Sequence, residues 1–337
     1  MYREATFHGP FQLGYSDGYA PLCIGSHYAV RTAAIREIGG IGPELAEDFS
    51  TTFLLNAAGW HGVFAIDADA HGYGPATFQD MVIQEFQWAR SLAVILLGLV
   101  PRNLRLLRLR RQLRFLYALS YYVLLTAATL AGLTLAPIAA VTGQPGINVN
   151  LFGFLAHIWS VGIWLILITV LLRRRGLLRP PSAPILSWEA WLYSLTRWPY
   201  VGLGIVAAVL YRIRPRNVTF RITPKEVNGH RPLPARLVAP FAIVSFVASA
   251  GALYGERSGS PAGYVFLCVV EAATYAVAAC AISVLHGAEI ARRSGTRRRS
   301  SIRAASQAPL NWAVTAAAAS AVALATYPAY AIRVFGW

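Results

Sequence analysis

The sequence predicts a chain in two parts: a water-soluble α/β segment over residues 1–91, then an all-α transmembrane bundle. Composition is the first observation behind this fold class, because 56% of the 337 residues are hydrophobic and only 13% are charged, fewer charges than a soluble protein of this size carries. The second is a change near residue 91, where acidic residues and glycines give way to long apolar stretches. The third is arginine, which clusters between those stretches as in membrane proteins with basic cytoplasmic loops.

The net charge of +15 also raises the alternative of nucleic-acid binding. Because the arginines lie in short clusters beside apolar spans, they favour the lipid bilayer as a partner, and we expect no nucleic acid. The three cysteines, Cys23, Cys268 and Cys280, form neither a disulfide framework nor a CxxC metal pattern.

Residues 1–91 predict short elements separated by turn signals. The first 20 residues indicate a loop, with a turn signal at Gly9-Pro10. Gly39 and Gly59 are expected to end two helices, because glycine tolerates the left-handed backbone that closes a helix. The predicted helices are 32–38, 44–58 and 77–90, and the predicted strands are 27–30 and 63–68.

The stretch from Gln84 to Arg90 marks the change from soluble to apolar sequence. On a helix, Gln84, Gln87 and Trp88 share one face, since they are spaced at i, i+3 and i+4. An indole beside two amides suits a sugar ring, because it offers a flat apolar surface together with donors and acceptors. An amphipathic helix with a tryptophan at the membrane interface explains the same residues.

Two acidic pairs are candidate sites. Glu47 and Asp48 fall in the first turn of a predicted helix, where negative charge is favoured whether or not it has a catalytic role. Asp67 and Asp69 form an Asp-x-Asp pattern of the kind that holds a divalent metal and a nucleotide-sugar diphosphate, but so short a pattern is frequent by chance.

The order of these motifs along the chain is more specific than any one of them. Gly25-Ser26 is followed by Ala46-Glu47-Asp48, by Gln84-x-x-Gln87-Trp88 and then by membrane sequence. This order resembles the second half of the catalytic domain of membrane family-2 glycosyltransferases, the cellulose synthase and hyaluronan synthase type. The resemblance implies that residues 1–91 are the C-terminal half of a GT-A-like catalytic domain.

The resemblance also implies roles for individual residues. Asp48, accompanied by Glu47, takes the position of the catalytic general base that accepts the proton of the acceptor hydroxyl. Trp88 would stack under the terminal sugar of the growing chain. The residues implied in acceptor binding are Gln84, Gln87, Trp88, Gly25 and Ser26.

Some positions depart from the family pattern. The arginine of the family's Gln-x-x-Arg-Trp motif is Gln87 here, which removes a cation near the donor diphosphate; Arg90, one turn on, is the candidate replacement. The threonine of Thr-Glu-Asp is Ala46. Asp67 and Asp69 follow the general base, whereas the family's metal-binding Asp-x-Asp precedes it, so we reject them as metal ligands and assign no metal site in this chain.

The resemblance implies Mg²⁺ or Mn²⁺ as a cofactor, with ligands that are not in this chain. In the family, those ligands and the uridine-binding residues lie upstream, in a nucleotide-binding half. Three expectations stay open: Met1 is an internal start of a longer protein, a separate chain supplies the donor half, or the chain is a catalytically incomplete fragment that acts as a non-enzymatic membrane subunit.

Residues 92–114 predict an interfacial helix with a basic linker, and residues 115–337 a transmembrane region. The apolar segment 186–211 is predicted to lie in the interface, because crossing would put the Arg-rich loop 212–236 outside, against the positive-inside rule. The chain is therefore expected to be a multi-pass protein of the plasma membrane with residues 1–114 cytoplasmic. The predicted spans are 115–141, 150–172, 237–254, 263–285 and 310–334.

The loop 212–236 contains Phe220-Arg221-Ile222-Thr223-Pro224-Lys225. By its residues alone it is a solvated basic loop. It also resembles Phe-x-Val-Thr-x-Lys, the gating loop of bacterial cellulose synthase, which folds over the bound donor. The resemblance implies that Phe220, Thr223 and Lys225 contact the nucleotide, with Lys225 as a cation near phosphate.

The resemblance implies the function of a processive, inverting polysaccharide synthase, which transfers sugar from a nucleotide sugar, expected to be a UDP-sugar, to a growing glycan and exports it. A transporter is the rival from another class. It would show internal repeats and ionisable residues deep within spans, whereas we find no repeat here and Glu271 is the exceptional acidic residue inside a predicted span.

Overall fold

The computed structural model describes residues 4–16, 18–42, 44, 46–70, 72, 74–75, 77–147, 151–215 and 232–326. About 75% of these residues are helical, and no β-strand occurs among them. A π-helix at Phe7–Phe11 and two 3₁₀ turns accompany the α-helices. The α-helices are α1 Gln12–Tyr15, α2 Thr32–Glu37, α3 Glu47–Ala57, α4 Phe78–Asn103, α5 Leu109–Thr142, α6 Leu151–Arg174, α7 Trp188–Thr196, α8 Trp198–Ile213, α9 Ala239–Ser258, α10 Ala262–Ser294 and α11 Arg298–Thr326.

The predicted α/β class of residues 1–91 is wrong, and with it the partial GT-A-like sheet. The stretches 27–30 and 63–68 have no strand partner within the described residues. In the second of them, the Phe64 amide donates to Ser16 Oγ at 2.8 Å and the Ile66 carbonyl accepts from Arg179 Nε at 2.9 Å. Side chains thus satisfy backbone groups that a sheet would pair with a neighbouring strand.

The two short helices of this part form close to their predicted positions as α2 and α3. Gly39 and Gly59 follow them with φ of 82° and 90°, a conformation that glycine adopts without strain. The predicted loop over the first 20 residues is wrong in part, because residues 7–15 are helical and Pro10 lies inside the π-helix.

α4 continues without a break from the predicted helix 77–90 into the apolar sequence that follows. Within the described residues, five helices are long and apolar enough to cross a membrane by length and composition, and α4 is in this set. Their placement in a bilayer, and the interfacial roles of 92–114 and 186–211, stay predictions; the predicted span 310–334 extends beyond the described residues. The five candidates are Phe78–Leu106, Leu109–Thr142, Phe152–Arg174, Ala239–Ser258 and Ala262–Arg292.

The chain divides into two compact units. The first contains α1–α3, α7 and α8 and most of α4. Its core is an apolar cluster in which Phe53 of α3 and Phe115 of α5 meet edge to face, with ring centroids 5.1 Å apart. Ile95 of α4 and Val201 of α8 are fully buried in the same cluster. The two helices that carry the predicted site residues, α3 and α4, therefore share one core.

The second unit contains α9, α10 and α11, which pack through small and hydroxylated residues. The Ser245 hydroxyl donates to the Ala272 carbonyl at 2.9 Å and lies 3.0 Å from the Ser320 hydroxyl, so one side chain of α9 links both other helices. Contacts of this kind are common between helices in membranes, where small residues allow close approach.

Candidate active site

The first turn of α3 presents two carboxylates, Glu47 and Asp48. Ala46, at the N-cap, has no side-chain oxygen to accept from the first amides of the helix. Asp48 compensates in part, since its Oδ1 accepts from the Phe49 amide at 2.8 Å. The helix start thus favours a charged carboxylate at Asp48, and the side chain is only half-buried.

Gly25 lies directly against this carboxylate. Its backbone amide donates to Asp48. A Cβ atom added to Gly25 would stand 3.3 Å from Asp48 Oδ2, a tight contact, and 3.6 Å from Glu47 Oε1, an ordinary one, so a larger residue would crowd the Asp48 carboxylate. The structure therefore brings together Gly25, Glu47 and Asp48, which the sequence places in one site. The neighbouring Ser26 hydroxyl is hydrogen-bonded to His27 Nδ1 at 2.7 Å and is exposed.

Hydroxyl groups of α3 hold the Gly25 loop in place. The Cys23 amide donates to Thr52 Oγ1 at 2.8 Å, and the same hydroxyl donates to the Asp48 carbonyl at 2.6 Å. The Leu22 amide donates at 2.8 Å to Oε1 of Gln12, which is fully buried. Because both bonds are to backbone amides, they fix the path of the loop beside Asp48.

Thr51 anchors a second loop in the same way, accepting from the Gly42 amide at 2.8 Å. Thr51, Thr52 and Gln12 were not predicted from the sequence as residues that support the site. The available signal was the polar run Ser50-Thr51-Thr52 within a helix, all of which is buried in the structure. Buried hydroxyls need partners, and here the partners are loop amides.

The surroundings of Asp48 make it a stronger base than an ordinary aspartate. Burial raises the pKa of Asp48 to about 6, and the charge of Glu47 adds to this, while the amides of Phe49 and Gly25 act in the opposite direction. In the part of the chain that the structure describes, no cation forms an ion pair with Asp48. The carboxylate is therefore mostly ionised at neutral pH and well matched to accept a proton there.

Tyr28 is a further residue at this site that the sequence analysis missed. Burial raises the pKa of the Tyr28 phenol, and the negative charges of Glu47 and Asp48 raise it further. Tyr28 is 36% exposed, so it offers a neutral hydroxyl beside the carboxylates and within reach of solvent. Burial also raises the pKa of the Cys23 thiol, which keeps it protonated and unreactive at neutral pH.

The α4 motif borders the same core as the start of α3. Trp88 packs against the core cluster of the first unit, as do Ala46 and Phe49, the residues on either side of Glu47 and Asp48. Gln87 is buried, and the side-chain oxygen of Gln84 is buried without a donor among the described residues. The shared core thus supports both the predicted base and the predicted acceptor platform, which consists of Gln84, Gln87 and Trp88.

Arg90 points toward α8, with its guanidinium 5.9 Å from the centre of the Tyr211 ring. Its predicted role near the donor phosphates stays a prediction. Phe220, Thr223 and Lys225 lie outside the described residues, so their predicted role in gating also stays a prediction.

Asp67 does not fit a metal site. Its Oδ1 lies 3.0 Å from Arg179 Nη2 and its side chain is 93% exposed, whereas a divalent cation needs several converging oxygen ligands. Across the described residues, no group of three or more His, Cys, Asp or Glu side chains could hold a metal ion.

Comparison with known proteins places this site in a family. The family model for glycosyl transferase family group 2 matches residues 3–213, a range that includes α1 to α8. The cellulose synthase catalytic subunit [UDP-forming] of Xanthomonas axonopodis pv. citri (strain 306) is 28% identical to this chain over 117 residues. That alignment covers 34% of this chain and only 16% of the relative's length.

No solved structure matches the chain. The family match covers more than half of the sequence, and it includes Asp48, Gly25 and the Gln84–Trp88 motif together. The predicted resemblance to family-2 glycosyltransferases of the cellulose synthase type is confirmed. The chain belongs to glycosyl transferase family group 2.

Proposed function

We propose that this chain is part of a membrane polysaccharide synthase, in which Asp48 is the general base for transfer of sugar from a UDP-sugar to a growing glycan. The observation that carries the proposal is the meeting of Gly25 with Asp48 at the start of α3, where the carboxylate is half-buried, without a cation partner among the described residues, and has a pKa raised to about 6. Such groups concentrate at functional sites.

In the proposed reaction, Asp48 accepts the proton of the acceptor hydroxyl as that oxygen forms a bond to C1 of the donor sugar. The bond between C1 and the diphosphate oxygen breaks, and the nucleoside diphosphate leaves with the electron pair. Attack from the side opposite the leaving group inverts C1. Gln84, Gln87 and Trp88 hold the acceptor sugar, and Gly25 and Ser26 line the approach to the base.

Membrane and donor functions complete the proposal. We place the protein in the plasma membrane with residues 1–114 on the cytoplasmic side and the product exported through the helices. Phe220, Thr223, Lys225 and Arg90 serve the donor nucleotide. The proposed activity requires Mg²⁺ or Mn²⁺, and the described residues offer no group of His, Cys, Asp or Glu side chains that fits such an ion.

The test uses membranes of the source organism with the chain altered at its own chromosomal locus. Radiolabelled UDP-glucose, and UDP-N-acetylglucosamine as a second donor, are supplied with Mg²⁺, and label in polymer is counted. We expect incorporation by wild-type membranes and its loss on Asp48→Asn. Equal incorporation by membranes from which the chain has been deleted would refute the proposal.

The same experiment distinguishes the proposed catalytic function from that of a non-enzymatic membrane subunit. In that case deletion of the chain would abolish incorporation, because the assembly is lost, whereas Asp48→Asn would leave it unchanged. Quantifying the chain in each membrane preparation by immunoblot excludes a trivial loss of protein.

A further inference from the structure

Glu85 is a buried carboxylate inside the Gln84–Trp88 motif. It takes no part in the proposed reaction. Its side chain is 1% exposed. It accepts a hydrogen bond from the Tyr122 hydroxyl at 3.2 Å, and its Oε2 lies 3.7 Å from Arg197 Nη1. A buried carboxylate requires such partners, because removing an ion from water without pairing it costs several kcal/mol.

Arg197 is held by aromatic residues as well as by this carboxylate. It lies at the junction of α7 and α8, and its Nη2 donates to the Tyr121 hydroxyl at 2.6 Å. Its guanidinium is 5.5, 5.9 and 5.7 Å from the ring centres of Tyr121, Tyr122 and Tyr193. The pair therefore connects α4 to α5, to α7 and to the start of α8.

α8 touches α4 at the same motif. A Cβ atom on Gly204 would stand 2.6 Å from the Phe86 carbonyl oxygen and 3.1 Å from the Ala89 Cβ, so α8 lies directly on the α4 backbone. Glu85 and Ala89 are at i and i+4 and face the same side. Gln84 and Trp88 each precede one of them by a single residue, about 100° around the helix.

We propose that the Glu85–Arg197 pair fixes the rotation of α4 about its own axis, and that it thereby positions Gln84 and Trp88 for the acceptor sugar. Both members of the pair are positioning residues that do not touch the substrate. The inference rests on the proposed function. In this arrangement α7 and α8, from the segment predicted to lie in the membrane interface, set the orientation of the acceptor-binding residues on α4.

The test measures acceptor and donor KM separately in source membranes, with radiolabelled UDP-glucose as donor and cellotetraose as acceptor. Arg197→Gln removes the cation that lies 3.7 Å from Glu85, and we expect about a tenfold rise in acceptor KM, since small misplacements of a binding group have effects of this order. The donor KM is expected to stay unchanged. Arg197→Lys retains the charge but lacks the planar guanidinium group. Its acceptor KM should lie between the wild-type value and that of Arg197→Gln.

The double variant Glu85→Gln with Arg197→Gln separates positioning from loss of folding. Removing both charges neutralises the buried carboxylate together with the cation of the pair, so acceptor KM should return to within about threefold of the wild-type value. Arg257→Gln, at an exposed arginine of α9, is the control and should behave as wild type. Immunoblots report the amount of protein in every preparation.

An acceptor KM that is unchanged in Arg197→Gln and Arg197→Lys, with only kcat or protein amount reduced, would show that the pair stabilises the fold alone and would overturn the inference. Failure of the double variant to recover would overturn it as well. If Asp48→Asn abolishes transfer while the Arg197 variants keep the wild-type acceptor KM, the positioning inference fails and the proposed function stands. Transfer that survives Asp48→Asn refutes the proposed base instead.

Discussion

Asp48 and Glu85 are both carboxylates on helices of the first unit, yet their surroundings differ in every respect that matters for chemistry. Asp48 is half-buried, and it accepts from the amides of the helix start and of Gly25. Glu85 is buried, accepts from the Tyr122 hydroxyl and pairs with Arg197. Asp48 retains exposure and a raised pKa of about 6, whereas the charge of Glu85 is compensated.

The difference shows how one residue type serves two purposes. A general base must reach its substrate and keep a lone pair available, so it is positioned through the backbone, here by a glycine loop and by Thr52. A positioning residue can be enclosed entirely, because its effect is transmitted through packing. The following predictions test this contrast, beginning with the largest expected effect.

Asp48→Asn should reduce sugar transfer by about 10²–10⁴-fold, the range typical for loss of a general base, in the membrane assay described above. Asp67→Asn is the matched control, since it removes the same charge from a side chain that is 93% exposed and paired with Arg179. Exposed ion pairs of this kind contribute little to the stability of the fold. A comparable loss of sugar transfer in both variants would contradict the assignment of Asp48 as the general base.

Transfer should fall about tenfold per pH unit once the pH is well below the pKa of Asp48, about 6, because protonation removes the base. The stability of the fold should change in the opposite direction. The native state holds this proton more tightly than the unfolded chain, so the contribution of Asp48 to the free energy of unfolding increases as pH falls from above 6 toward 4.

It follows that Asp48→Asn should raise the melting temperature by a few degrees at pH 7 while it removes activity. The measurement is thermal unfolding of the detergent-solubilised protein at pH 7 and pH 5, where the difference from wild type should shrink. A melting temperature lowered at pH 7 would contradict the raised pKa.

Gly25→Ala should reduce kcat about tenfold, because the new methyl group would stand 3.3 Å from Asp48 Oδ2 and displacement of a catalytic group has effects of this order. Gly14→Ala is the control, since a Cβ there meets no atom within 4 Å. An activity of Gly25→Ala equal to that of Gly14→Ala would show that the loop does not constrain the base.

Thr52→Val should have the smallest effect, a loss of about 1–2 kcal/mol in the free energy of unfolding and a severalfold reduction in transfer. It removes the acceptor of the Cys23 amide and the donor to the Asp48 carbonyl. Thr169→Val in α6 removes a hydroxyl that donates to its own helix at 2.8 Å and is exposed. Equal melting temperatures for the two variants would contradict an anchoring role for Thr52.

The features that the sequence could predict are local ones. Helix ends at Gly39 and Gly59 depend on the few residues around them, and the structure confirms both. The family followed from the order of short motifs, and the comparison confirms it. The length of α4 was underestimated, because the soluble and apolar stretches were separated at residue 91, although no helix-breaking residue stands there.

Features that depend on distant partners could not be predicted. Strands at 27–30 and 63–68 required neighbours for pairing, and in the second the backbone bonds to Ser16 and Arg179 instead. The anchoring of Cys23 by Thr52 joins residues 29 positions apart. Nothing in the local sequence around Arg197 indicates a carboxylate partner on α4.

The continuity of α4 has a mechanical consequence. Trp88 and Pro101 belong to one helix, so the proposed acceptor platform at Trp88 and the residue Pro101 lie about 20 Å apart along one rigid rod. A tilt of that rod, of the kind that bilayers of different thickness impose, displaces the platform with it. In any bilayer that α4 crosses, the lipid thickness would therefore bear on the geometry of the proposed sugar site.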